Sequence, residues 1–270
     1  MDPLLISILL GSFVGVVLAL TGAGGAILAV PLLVFGLHLG VAQAAPIALL
    51  AVCLSATIGA LIALKQKKVR YRAAGFIALT GAIVAPLGIW TAQTLPNTPL
   101  TLLFAVILMV VAFDMFRQSS CNDEAIEISA SRPFSAPCIL DVADGRLVWT
   151  APCVSALILS GLLAGFLSGL LGVGGGFVVV PALKKVTNLQ MQSILATSLA
   201  VVALVSAAGV IAAIVIGSMN WEIALPFTGG AIVGMLLGRF FANYVASATL
   251  QRSFAILAVC VSIGMIVKVF

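Results

Sequence analysis

Eight stretches of this chain run on with scarcely a charged residue: approximately 4–34, 43–64, 73–94, 99–116, 153–183, 191–217, 222–245 and 248–268. Most reach the ~20 residues that a helix needs to cross the hydrocarbon of a bilayer. Inside that hydrocarbon every backbone N–H and C=O must find its partner within the protein, so long apolar runs become helices. The expected fold class is therefore an all-α integral membrane protein. Composition agrees, with 63% hydrophobic and 8% charged residues. A soluble domain carries about 25% charged residues, and this chain has too few to cover a water-facing surface. The first run does not look like a secretory signal peptide: Met1-Asp2-Pro3 supplies no basic start, and the run outlasts an h-region of about 7–15 residues.

The first run also breaks at "LTGAGGAILAVPLL" (20–33), and the fifth breaks in the same way at "LLGVGGGFVVVPAL" (170–183). At an offset of 150 residues, Gly22, Gly24, Gly25 and Pro31 fall on Gly172, Gly174, Gly175 and Pro181. The offset persists without a gap: Gly11 and Gly15 match Gly161 and Gly165, Gly59 matches Gly209, and Phe104 matches Phe254. The chain thus reads as a duplication, with one transmembrane repeat over 1–116, a polar linker over 117–150 and a second repeat over 151–270. The linker holds Asp123, Glu124, Glu127, Asp141 and Asp144, five of the eight acidic residues. Duplicated membrane units are a recurring plan of secondary transporters.

The copies can be parallel or inverted. A straight helix of 31 residues would be ~46 Å long, well over the ~30 Å core. The glycine break suggests instead two arms, roughly 4–20 and 26–37, packed together through Gly11-x-x-x-Gly15. If the hairpin returns to its starting side, each copy has three true crossings and the second copy is inverted. With "KQKKVRYR" (65–72) in the cytoplasm, the inverted arrangement puts twelve of the thirteen Lys and Arg on that side and only Lys268 opposite. A parallel arrangement leaves nine inside and four outside. The inverted form fits better. The net charge of +5 then reflects orientation in the membrane, and no nucleic-acid motif competes with that reading.

Helix N-termini carry unpaired N–H groups and about half a positive charge. Glycine lets a ligand come close to them. The arms after each break start near Ala26 and Gly176. Two such ends meeting from opposite sides near the midplane would bind a small anion without lysine or arginine; alternatively, the glycines only make a tight turn. Small polar residues lie nearby: Thr21, Gln43, Ser55 and Thr57 in the first half, and Ser168, Ser193, Thr197, Ser198 and Ser206 in the second. Arg239 sits near the end of its span, either snorkelling to the interface or gating a substrate. No acid lies deep in a span, and there is no metal, cofactor or H-E-x-x-H motif; the lone His38 has no evident nucleophile partner. No enzyme and no cofactor are expected. The five cysteines fit no metal or redox spacing, and Cys121 and Cys138 in a reducing cytosol are not expected to pair.

Gly-x-x-x-Gly followed by Gly-x-Gly-Gly and then Pro, present twice around a polar linker, resembles the sulfite exporter TauE/SafE family, also called the toluenesulfonate uptake permease family. "ATSL" at 196–199 is similar to the family's pattern after the second hairpin, whereas the matching stretch of the first half reads "PIAL" (46–49). The resemblance implies a multi-pass protein of the bacterial inner membrane that moves sulfite, organosulfonates or related anions. It directs attention to Gly22, Gly24, Gly25 and Ala26, to Gly172, Gly174, Gly175 and Gly176, and to Thr197 and Ser198 as substrate contacts. The expected partners are that small anion and the lipid bilayer. A membrane scaffold whose glycines merely pack helices is the alternative.

Overall fold

The computed structural model describes residues 3–66, 69–121, 151–187, 191–241 and 247–269, and every regular element in them is helical. The first half comprises α1 (Pro3–Thr21), a 3-10 segment (Gly22–Leu28), α2 (Ala29–Gly36), α3 (Val41–Lys65), α4 (Tyr71–Thr94) and α5 (Asn97–Cys121). The second comprises α6 (Ala151–Leu171), α7 (Gly176–Val186), α8 (Met191–Ile216), α9 (Trp221–Phe241) and α10 (Ser247–Val269). Helices α3, α4 and α5 start at Val41, Tyr71 and Asn97; α8, α9 and α10 start at Met191, Trp221 and Ser247, the offset of 150 each time. Six helices (α1, α3, α4, α6, α8 and α9) are long and apolar enough to cross a membrane. The chain is a multi-pass membrane protein. Helix α5 carries regular structure as far as Cys121, and the rest of the linker lies outside the described residues.

Each glycine break reverses the chain. A side chain at Gly36, the end of α2, would strike Leu10 of α1, and one at Gly25 would lie 2.6 Å from the Leu18 nitrogen. The second arm therefore runs back along the first. In the other half Gly175 sits against Ala164 of α6 in the same way.

The expectation that Gly11 and Gly15 join the two arms of their own hairpin is corrected. Both pack on α9, in the other half: a Cβ at Gly11 would meet the Phe227 carbonyl, and one at Gly15 the Ala231 carbonyl. Helix α9 answers with its own small-residue ridge, Gly230, Gly234 and Gly238, set against Ile8, Ser12 and Val16 of α1. The repeat-related seam joins α6, through Gly161, Gly165 and Gly169, to Ile77, Gly81 and Ala85 of α4. Glycine on both sides lets the backbones touch, so dispersion and packing hold helices that lipid would otherwise solvate equally well. The two halves thus interlock, each lending its first helix to the other.

Between these seams, equivalent helices meet their own counterparts. Cys53 of α3 donates its thiol to the carbonyl of Ala203 of α8, 150 residues on, at 3.6 Å. A Cβ at Gly59 would lie 3.4 Å from Leu199, and one at Gly209 would lie 3.1 Å from Leu49. As positions rise along α3 they fall along α8, so the equivalent helices are antiparallel. In the second such pair, α5 with α10, Ser262 Oγ donates to the Ala105 carbonyl at 2.8 Å. Cys153, buried at the start of α6, is disulfide-bonded.

Candidate functional site

The two glycine turns are built differently. In the second half, Gly172 N–H closes α6 by donating to Ser168 O at 2.8 Å. Gly172, Gly174 and Gly175 then take positive φ values of 74°, 73° and 69°, a region that side chains disfavour. Gly175 is the N-cap of α7, and no side chain caps that end. Its carbonyl accepts from Val178 and Val179, which leaves the N–H groups of Gly176 and Phe177 without intrahelical acceptors. The first-half turn takes a positive φ at Gly22, 71°. The chain then winds as a 3-10 helix through Gly24, Gly25 and Ala26, and α-helix begins at Ala29 rather than near Ala26. Tight 3-10 bonds satisfy N–H groups that an α-helical N-terminus leaves open. The 3-10 segment packs against both α7 and α8, so the two turns do meet in the interior.

Thr197 and Ser198 are fully buried, but their hydroxyls are already engaged. Thr197 Oγ1 donates to Ser193 O at 2.6 Å and accepts from the Arg70 backbone N–H at 3.2 Å, tying α8 to the α3–α4 connection. Ser198 Oγ donates to Leu195 O at 2.9 Å. Thr21 and Thr57 also bond the carbonyl four residues back. These are the local bonds that membrane-helix hydroxyls commonly make.

Among the described residues, four buried hydroxyls make no hydrogen bond: Ser55, Ser168, Ser206 and Thr228. Ser206 is the one aimed at a turn. The space where Gly174 would carry a Cβ lies 2.8 Å from Ser206 Oγ, and Val202 and Val52 wall it at 2.9 and 3.0 Å. Ser55 follows Val52 by less than one turn on α3, and Ser168 precedes Gly172 by about one turn on α6. An orphaned buried hydroxyl costs about 1–3 kcal/mol, so its retention beside a helix N-terminus is informative. The sequence flagged Ser206 as one of nine small polar residues and had no signal that would separate it from Thr197.

The missing side chains have different reasons. At Gly25 and Gly175 a Cβ would collide with the preceding arm, at Leu18 N and Ala164 O respectively, both at 2.6 Å. Those two glycines serve the hairpin. Gly174 instead lets the turn pack closely on Ser206 and Val202 of α8 and Val52 of α3. Gly172 is pressed on Ala45 of α3, and Gly22 faces Leu195 of α8 at 3.3 Å.

Two openings approach this interior. A cleft of about 690 Å³ runs in beside Gly22, between Ala63 of α3, Leu195 and Leu199 of α8, and Arg239 of α9. At the other end of the bundle a vestibule of about 890 Å³ is lined by Gln43, Gln93, Asn220 and Glu222, among others. Arg239 is half-buried, and its Nη1 donates to Gly59 O at 3.0 Å.

The family model described as sulfite exporter TauE/SafE matches residues 7–265. A probable membrane transporter protein of Xylella fastidiosa (strain Temecula1) is 28% identical over 275 residues, covering 98% of this chain and 95% of the relative. Its counterpart in strain 9a5c is 30% identical over 272 residues, with the same coverage of 98% and 95%. The probable membrane transporter protein YunE of Bacillus subtilis is 24% identical over 240 residues, 86% of each chain. No solved structure matches.

Proposed function

The chain belongs to the sulfite exporter TauE/SafE family of membrane transporters, and from that premise we propose that it is a secondary exporter of small sulfur-containing anions such as sulfite or organosulfonates. The anion is held where the two glycine turns meet, by the N–H groups opening α7 and by the Ser206 hydroxyl. The open N–H groups of Gly176 and Phe177 and the Ser206 hydroxyl replace part of the anion's hydration without a buried cation. The first-half turn, wound as 3-10 helix, contributes fewer of them.

Inverted repeats are part of the proposal. What supports them is the antiparallel contact of equivalent helices at Cys53 and Ala203, together with hairpins that return toward their starting side. Three crossings per copy follow, with the Lys65 end of the bundle in the cytoplasm under the positive-inside rule. A two-fold axis in the membrane plane gives the protein two equivalent ways to open, one toward each side.

The observation that carries the reading is the unpartnered, buried Ser206 Oγ packed against Gly174 of the second turn. Ser206→Ala is expected to weaken sulfite binding to the purified protein about ten- to a hundredfold, the worth of one hydrogen bond to a charged group. It should leave the unliganded protein as stable as before or slightly more so, since an unsatisfied buried hydroxyl has been removed. Undiminished binding of sulfite, sulfate, thiosulfate and taurine by that variant refutes the site.

A further inference from the structure

The duplication relates each residue of the cleft to one 150 positions away, and the two surroundings are not alike. Arg239, in the cleft, corresponds to Ile89; Leu195 and Leu199 correspond to Ala45 and Leu49; Gln192 corresponds to Ala42. The cleft around Arg239 holds about 690 Å³. Its counterpart, between Ala45, Pro46, Leu49 and Ile89, leaves no room for a water molecule, although the vestibule lies directly over it. The fold is therefore open beside one glycine turn and shut beside the other. The open side has the guanidinium.

Arg239 is placed for an anion. Its bond to the carbonyl of Gly59 uses a single one of the five N–H donors that the group carries. Among the described residues no acidic side chain lines the cleft, whose polar members are Gln66, Gln192 and Arg239. A half-buried cation with no counter-ion among the described residues, in a groove walled by Leu195, Leu199 and Leu236, makes a local positive potential that low-dielectric walls focus. The planar fork of arginine matches two oxygens of a tetrahedral or pyramidal oxyanion.

We propose that Arg239 makes this cleft a second anion site, an entry station for sulfite-like and sulfonate anions beside Gly22, and that the apolar, closed counterpart around Ile89 has no equivalent. The anion is gathered at one end by a charge and passed to the neutral donors of the glycine turns. The other end releases it without a cation to hold it back. The two ends thus differ in affinity, so the anion is captured at a lower concentration from the Arg239 side. That the cleft serves transport rests on the reading of the preceding subsection; its selectivity for anions does not.

The test is the reaction rate of a cysteine in the cleft with two thiol reagents of opposite charge. Leu195→Cys is treated with the sulfonate reagent 2-sulfonatoethyl methanethiosulfonate and with its trimethylammonium analogue. Mass spectrometry of the peptide follows position 195 without removing native cysteines. For a unit charge about 6 Å away at the dielectric of water, removing Arg239 changes the anion-to-cation rate ratio about tenfold. Leu195→Cys with Arg239→Gln is expected to show that fall, since glutamine can still donate to Gly59 O. Arg239→Lys is expected to keep most of the selectivity. Gln192→Cys, exposed at the rim, gives the same comparison if the Leu195 variant does not fold. Ala45→Cys, in the closed counterpart, should stay unreactive. An unchanged ratio in the glutamine variants overturns the anion site, and an Ala45→Cys as reactive as Leu195→Cys overturns the one-sided opening. A protein with the expected ratios that moves no sulfite into or out of proteoliposomes keeps the anion site and loses the transport reading.

Discussion

Gly229 and Gly230 are neighbours on α9 with opposite surroundings, and replacing each in turn by alanine isolates the energy of the glycine seam. Gly229 is exposed, and a Cβ there would meet nothing within 4 Å. At Gly230 a Cβ would strike the Ile8 carbonyl oxygen, with the Ile8 carbonyl carbon and Ser12 nitrogen both at 3.0 Å. Both substitutions gain the same helix propensity, about 1 kcal/mol over glycine. That gain is the whole effect at Gly229, so the variant should be neutral or up to about 1 kcal/mol more stable. At Gly230 the struck atoms belong to the backbone of α1 and cannot turn aside. Overpacking of about 1–3 kcal/mol then outweighs propensity. Because the propensity gain cancels between neighbours, the difference between the two variants, about 1–3 kcal/mol, is the cost of prising α1 from α9. Reversible unfolding in mixed micelles, followed by circular dichroism, measures it; heating does not, because irreversible aggregation intervenes. Equal stabilities for the two variants would refute the claim that backbone contact in this seam holds the halves together.

Three further outcomes are expected. Gly175→Val, which combines a φ of +69° with a Cβ 2.6 Å from Ala164 O, should cost about 3 kcal/mol or more and lower the folded yield, unlike Ser206→Ala; a well-folded valine variant would show that the hairpin does not need this glycine. Cysteines introduced at Lys184 and at Asn220 should react with an impermeant maleimide from the cytoplasmic and the external face respectively, and labelling of position 184 from outside would break the inverted topology. That topology also puts the start of α6 in the reducing cytosol, so alkylation in intact cells should find Cys153 as a thiol although the structure shows it disulfide-bonded; an oxidised Cys153 in cells would count against the orientation.

The apolar runs and the 150-residue offset made the helices and the duplication legible, because a bilayer leaves backbone groups no partner but their own helix. The glycine breaks were legible as reversals for the same reason. What Gly11 and Gly15 touch was not. A small-residue stripe shows that some backbone comes close, and choosing α9 over α2 required noticing that Gly230, Gly234 and Gly238 form a matching ridge. The proposed site was only partly singled out by the sequence. Sequence placed weight on Thr197 and Ser198, but a hydroxyl's usefulness depends on whether its own helix has already claimed it, as it has for both. Ser206 differs only in finding no acceptor within reach, a property of packing between α8 and the second glycine turn. The difference between Arg239 and Ile89 was written in the sequence all along, and it became informative once one surrounding proved open and the other shut.

The most direct test of the account is electrical. With no acid deep in a span to carry a compensating proton, outward passage of the anion should move net negative charge. A potential of 100 mV, negative inside, then contributes about 2.3 kcal/mol per charge, roughly a fiftyfold concentration ratio. Proteoliposomes on a solid-supported membrane, given a sulfite concentration jump, are expected to show a transient current that is strongly reduced in Ser206→Ala. Sulfite translocation without current, or neither current nor flux with sulfite, sulfate, thiosulfate or taurine, would contradict it.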